Sequence, residues 1–283
     1  SYAFYRKYGW EIFSNYIIIH LSKSDLVSKE NVSGHIKRFT TDSYNEDIEI
    51  VYDEYAKKHI GMFARERDWW IESVIRDSHV AIYYNQNHIP LGYLIYKIQN
   101  SNMQINEFVA VEYEARLGLW NYICQHDSMV NELVMSAEMD DPLLFTILNP
   151  KMRVEQRPFG MARVVDVLNF LQLYPFTWGI MKSPIFLNII DQYASWNNGT
   201  FIIKPNNAVE FISSTSNNLS NKSTDEFPQE GFTMSINTLT ALLLKYKSAS
   251  RLLEFGLIKA NSCNIKYLDN ILPDKTPRFL DGF

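Results

Sequence analysis

The runs His79-Val-Ala-Ile-Tyr-Tyr84 and Leu91-Gly-Tyr-Leu-Ile-Tyr-Lys97 are dense in β-branched and aromatic residues, and the polar segment Asn85-Gln-Asn-His88 separates them. Two such runs around turn-forming residues predict a β-hairpin. A third β-rich run covers residues 104–111, and residues 112–126 then read as a helix. Three strands followed by a helix commit this stretch to an α+β layer, a sheet whose apolar face needs helices to cover it.

The rest of the chain fits around that unit. Residues 47–58 place Ile48, Val51, Tyr52 and Tyr55 on one helical face, with Gly61 as a stop. A second short helix is predicted over 67–76, turning Trp70 and Val74 inward. Pro142 and Pro150 bracket an apolar strand at 143–148, and residues 161–171 run from strand into a short helix. Further strands are expected at 186–190 and 200–203. The Ser- and Asn-rich stretch 213–229 reads as an irregular surface excursion. A long helix over 238–255 follows, with Leu239, Leu242, Leu243, Tyr246, Leu252 and Leu253 buried, a cap at Asn237 or Thr238 and an end at Gly256. At the other extreme, residues 1–26 read as two short strands meeting at Gly9, the closing piece of a domain that begins upstream. Three regions result, 1–26, 27–150 and 151–283.

Composition narrows the function. A chain of 283 residues with 46% hydrophobic and 14% aromatic content is globular and has apolar surface for more than one core. Its net charge of −5 argues against nucleic acid as a main partner and does not repel cationic amines. Cys124 and Cys263 are the only cysteines, which fits the reducing cytoplasm and argues against a structural zinc site. The six histidines lack metal-ligand spacing, so no metal is expected. The apolar run at 16–21 is far too short to cross a bilayer, so no membrane partner is expected. Arg65 and Arg67 read best as a solvated helix start. No P-loop, Rossmann or nucleophile-elbow glycine pattern is present.

Three segments carry a resemblance. Ala3-Phe-Tyr-Arg-Lys-Tyr-Gly-Trp10 resembles the closing motif of a GNAT acetyltransferase domain. The hairpin, third strand and helix of residues 79–126 resemble the central unit of a second GNAT fold. Phe232-Thr-Met-Ser-Ile-Asn-Thr-Leu-Thr-Ala-Leu-Leu-Leu-Lys-Tyr-Lys-Ser-Ala249, with Leu253-Glu-Phe-Gly-Leu257 beyond it, resembles the helical end of a sterol-carrier-protein-like (SCP2-like) domain. Their order is similar to the Eis (enhanced intracellular survival) family of N-acetyltransferases, with this chain matching its C-terminal part and lacking most of the N-terminal GNAT domain.

The resemblance implies an α+β fold: a GNAT-like mixed sheet with flanking helices, then an SCP2-like domain. It also implies acetyl-CoA as co-substrate, bound mainly by the missing domain. The acceptors implied are primary amines of aminoglycoside-like polyamines or lysine side chains, and the assembly a ring-like homo-oligomer. Amine acetylation needs a base for the ammonium proton and an acid for the departing thiolate. By resemblance the acid is Tyr5 and the base the terminal carboxylate of Phe283. Asp281 would either hold a substrate ammonium or be solvated, and Tyr5 by its chemistry alone is equally a packing residue. The alternative is a non-enzymatic module holding an apolar ligand in the SCP2-like domain.

A CoA pyrophosphate needs free backbone N–H groups at a glycine-containing helix start. Residues 111–120 instead set Glu112 and Glu114 there, with Gly118 well inside the helix. This chain by itself should therefore bind acetyl-CoA weakly, and isothermal titration should detect no micromolar affinity.

Overall fold

The computed structural model describes residues 1–179, 182–214 and 230–282. They divide into two compact units, one of residues 1–14 and 160–277, the other of residues 15–159 with the segment from Arg278 onward. The divisions differ from those read in the sequence because strand Asn15–Ser22 is built into the larger sheet and strand Glu11–Ile12 is not. The latter pairs with Met161–Ala162 and draws the first residues into the other unit.

The unit of residues 15–159 is built on a seven-stranded sheet in the order His35–Phe39, His79–Tyr84, Pro90–Gln99, Asn102–Ala110, Glu132–Ala137, Asn15–Ser22, Arg153–Pro158. The expected hairpin holds, with His79 opposite Tyr96 and Ile82 opposite Tyr93. Neighbours are antiparallel except Asn102–Ala110 and Glu132–Ala137, which run parallel and are joined by helix Tyr113–Cys124. A parallel pair needs such a crossover because the end of one strand and the start of the next lie at opposite ends of the sheet along the strand direction. The central strands are nearly continuous apolar runs because helices cover both faces. On one face Ile48, Val51, Tyr52 and Tyr55 of helix Asp47–Ala56 join a core with Ile82, Tyr93 and Ile95. On the other, Ala115, Leu119 and Ile123 pack with Leu94 and Tyr96.

Gly118 sits where that second helix meets the sheet. A Cβ there would lie 2.3 Å from Cε2 of Tyr83. The glycine serves close packing, not ligand approach.

In the unit of residues 1–14 and 160–277, a five-stranded sheet runs Val209–Ser213, Gly199–Ile203, Ile185–Ile190, Gly231–Ser235, Ile258–Asn261. Ile185–Ile190 and Gly231–Ser235 are parallel. The predicted strands at 186–190 and 200–203 are present. The excursion expected at 213–229 lies outside the described residues from 215 onward.

Three local expectations are corrected. Residues 1–26 do not open on a strand: Tyr2–Lys7 is a helix, favoured by the i,i+4 ring contact of Phe4 and Tyr8 at 5.1 Å. Gly9, at φ +87°, then turns the chain, with Arg163 and Ile236 packed where a side chain would be. Residues 143–148 are not a strand, because Pro142 is pre-set for a helical turn and Asp141 accepts the Leu143 N–H at 2.8 Å. Leu143–Thr146 is helical as a result. The long helix at 238–255 is two, Ile236–Leu243 and Ala249–Glu254, parted by Lys245 at φ +61°. Ser235 and Ser248 cap them, each accepting a backbone N–H three residues on.

Among the described residues no helix is long and apolar enough to cross a membrane, and no group of three or more His, Cys, Asp or Glu is placed to hold a metal ion. Gly118→Ala gains helix propensity of about 1 kcal/mol but meets the Tyr83 ring, a collision worth about 1–3 kcal/mol. Urea unfolding should show a net loss of up to about 2 kcal/mol in stability.

Candidate functional site

The parallel pair is the place where the larger sheet opens. Its partners run from Asn102 opposite Glu132 to Ile105 opposite Met135 and stop there, although the strands continue to Ala110 and Ala137. Beyond Ile105 one strand follows the hairpin and the other follows Asn15–Ser22, leaving a wedge between them. Backbone groups left unpaired in such a wedge are a natural seat for a ligand.

The chain fills this one itself. Phe108 from one strand and Met135 from the other face a cavity of about 40 Å³ shared with Arg116, Trp120 and Leu143. Drug-sized ligands need roughly 300–1,000 Å³. The Arg116 guanidinium lies 4.9 Å over the Phe108 ring and pairs with Asp141. At the start of helix Tyr113–Cys124, Glu114 accepts hydrogen bonds from the Tyr83 hydroxyl at 2.7 Å and the Ser33 hydroxyl at 3.1 Å. Burial, then this bond to a carboxylate, pushes the Tyr83 phenol up to about 12. A carboxylate thus occupies the end of the helix that would favour a phosphate.

The densest polar chemistry of this unit lies elsewhere, around Arg65. Its side chain is wholly buried, with the guanidinium 4.3 Å from the Tyr52 ring and 4.5 Å from the Trp70 ring. Nη1 and Nη2 donate to the two oxygens of Glu107 at 3.1 and 2.7 Å, and Nε donates to Oδ1 of Asp281 at 2.9 Å. Tyr93 donates its hydroxyl to Glu107 at 2.7 Å, and Trp69 donates Nε1–H to Asp281 Oδ1 at 2.8 Å. Burial is the largest single influence and works to lower the Arg65 pKa, but Glu107, Tyr93 and Tyr52 together outweigh it, so the group is held charged. Burial drives the Tyr93 phenol far up, so it stays a donor.

Local structure explains the convergence. Helix Arg67–Trp69 widens into a π-helical stretch, Trp70–Ile75, and adjacent residues Trp69 and Trp70 both reach the cluster. By simple alternation Glu107 shares a phase with Met103, Ile105 and Val109, but a register shift opposite Ile95 and Tyr96 sends Met103 and Ile105 to the other face, and Glu107 is buried beside Tyr93, Ile95 and Val109.

The expected site residues are distributed as follows. Tyr5 lies on helix Tyr2–Lys7, about half exposed, with its ring 5.5 Å from Phe4 and 5.7 Å from Trp10. It belongs to one unit and Asp281 to the other. Phe283 lies outside the described residues. Asp281, expected to meet an ammonium or solvent, has a side chain with no exposed surface and gives its Oδ1 to Arg65 and Trp69. Arg65, expected to be solvated, is the buried centre of the cluster. Its partner Asp281 is 216 residues away, a separation no spacing rule reaches. One signal was available: Glu107 is a charge on the apolar phase of a strand.

Comparison with known proteins adds to this geometry. The acetyltransferase (GNAT) domain family matches residues 61–164, and the sterol carrier protein domain family matches residues 167–280. Curated proteins returned no significant match. Among solved structures, a probable N-acyltransferase of unknown function from Enterococcus faecalis is 27% identical over 100% of this chain and 70% of its own, with a TM-score of 0.86. A GCN5-related N-acetyltransferase from Anabaena variabilis is 18% identical, covering 100% and 71%, with a TM-score of 0.80. Eis1 from Mycobacterium abscessus is also 18% identical, covering 100% and 71%, with a TM-score of 0.74. The latter two show the shared fold.

Removing one partner of a buried, hydrogen-bonded ion pair costs about 3–5 kcal/mol, because the other charge is left uncompensated. Arg65→Met strands both Glu107 and Asp281, so chemical denaturation should show a loss of that size. From the two family matches and the mixed sheets on which they fall, the chain has the fold of a GNAT domain followed by a sterol carrier protein domain.

Proposed function

We propose that the protein is a cytoplasmic, homo-oligomeric N-acetyltransferase that moves the acetyl group of acetyl-CoA to primary amines, either of aminoglycoside-like polyamines or of lysine side chains. The observation that supports this reading most is the likeness over 100% of the chain to the Enterococcus faecalis probable N-acyltransferase at 27% identity. The net charge of −5 suits a cationic acceptor. The filled wedge and the Glu114 carboxylate at the helix start favour acetyl-CoA being bound by a GNAT domain other than this one.

In the proposed reaction a base removes a proton from the acceptor ammonium, and the freed amine attacks the thioester carbonyl. The carbon–sulfur bond breaks, an acid protonates the departing thiolate, and an amide and free CoA result. We assign the acid to Tyr5, whose phenol hydroxyl can donate a proton to a thiolate. The base is assigned to the α-carboxylate of Phe283, whose ordinary value near 3.5 would have to be raised by burial.

A second reading, a carrier of an apolar ligand, draws on the sterol carrier protein match at residues 167–280. Solvent extraction of the purified protein followed by mass spectrometry would reveal a stoichiometric lipid under that reading and none under the first.

Extending the C-terminus by a few residues should lower turnover of the complete protein by roughly 10²- to 10⁴-fold with little change in substrate binding. Tyr5→Phe should lower turnover while leaving stability nearly unchanged. Steady-state acetylation against an amine panel measures both, and full activity in the extended protein would exclude the carboxylate as base.

A further inference from the structure

The end of the chain is held in the larger unit residue by residue. Arg278 donates its backbone N–H to the Ile60 carbonyl at 3.0 Å. Phe279 is buried, with its ring 5.0 Å from Phe63 and 5.5 Å from Phe159. Leu280 packs against the core that contains Tyr52, Trp70 and Tyr93. Asp281 brings its charge to Arg65 and Trp69.

These four contacts do not define position equally. Apolar side chains hold a segment down but tolerate sliding, because dispersion is non-directional. A carboxylate oxygen that must meet two N–H donors at 2.9 and 2.8 Å admits one register. Oδ2 of Asp281 is buried with no hydrogen-bond partner among the described residues, so the whole polar contact passes through Oδ1. Arg65 is also held by contacts that do not come from the tail. Glu107 grips Arg65 through both oxygens, Tyr93 fixes Glu107, and the Tyr52 and Trp70 rings flank the guanidinium.

We infer that Arg65 and Trp69 form a preformed socket in which Asp281 latches the chain end at one register, making all three positioning residues for acyl transfer. The inference rests on the reading that the chain end carries the base: a base set two residues beyond the latch is only as well placed as Asp281 is.

The test uses the complete protein as wild type, Asp281→Asn and Trp69→Phe, and follows amide hydrogen exchange by mass spectrometry alongside steady-state kinetics. Asp281→Asn removes the charge, and Trp69→Phe deletes one donor while leaving Arg65 paired, so the second variant decides if the first fails to fold. Both should speed exchange of the 278–282 amides by roughly tenfold or more, with the sheet amides unchanged. Both should also lower kcat by roughly 10- to 100-fold, with KM for acetyl-CoA kept within about twofold. A merely stabilising contact would shift the melting temperature without that split. Unchanged exchange of the tail in both variants, or a loosened tail with unchanged kcat, overturns the latch. Absence of turnover in the wild type overturns the acetyl-transfer reading instead, and the exchange measurement then decides on its own whether the latch exists.

Discussion

The larger unit is organised around a charge that has no access to water. A buried guanidinium is tolerated only where most of its N–H groups find acceptors and its flat faces find something polarisable. Arg65 meets both conditions: Glu107 takes the two terminal nitrogens, Asp281 takes Nε, and the Tyr52 and Trp70 rings lie within 4.5 Å of its Cζ atom. Each partner comes from a different place. Tyr52 is on the helix covering the sheet, Trp70 on the π-helical stretch, Glu107 on a central strand and Asp281 near the end of the chain. Satisfying one cation therefore fixes four parts of the chain against one another.

That arrangement accounts for the form of the neighbouring helix. An ordinary α-helix turns successive residues by about 100°, so adjacent tryptophans diverge. The π-helical widening at Trp70–Ile75 begins where Trp69 must reach Asp281 and Trp70 must lie against Arg65. Widened turns of this kind recur at functional sites because a helix accepts them only when tertiary contacts compensate.

The larger sheet has its opening lined by the chain's own side chains. Its parallel strands part after Ile105 and Met135, but Phe108, Arg116 and Leu143 close the opening, and Glu114 brings a carboxylate to the helix start. The unit also offers a layer covered on both faces, with the Arg65 cluster buried against the middle of one of them. A fold and the chemistry commonly found on it are separable, since the chemistry depends on a few side chains and the fold on many.

Much of the architecture was legible locally. The hairpin at 79–97, the strand and helix after it, and the apolar face of Ile48, Val51, Tyr52 and Tyr55 follow from residue type and period, because each such element is specified by neighbours a few positions apart. Local rules were misread where two of them competed. Aromatic density at residues 2–8 suggested strand, yet i,i+4 ring contacts favoured helix, and Lys245 broke a helix whose leucines kept their period. The site was another matter. Glu107 on the buried phase of its strand marked a charge that needed a partner, but nothing in the order of residues named Arg65, 42 positions away, or joined it to Asp281, 216 positions away. By itself the sequence determined the hairpin, the strand and helix that follow it, and the apolar face of the helix that covers them. Only the tertiary structure decided which charges are buried together, because a hydrogen bond depends on distance in space and is indifferent to distance along the chain.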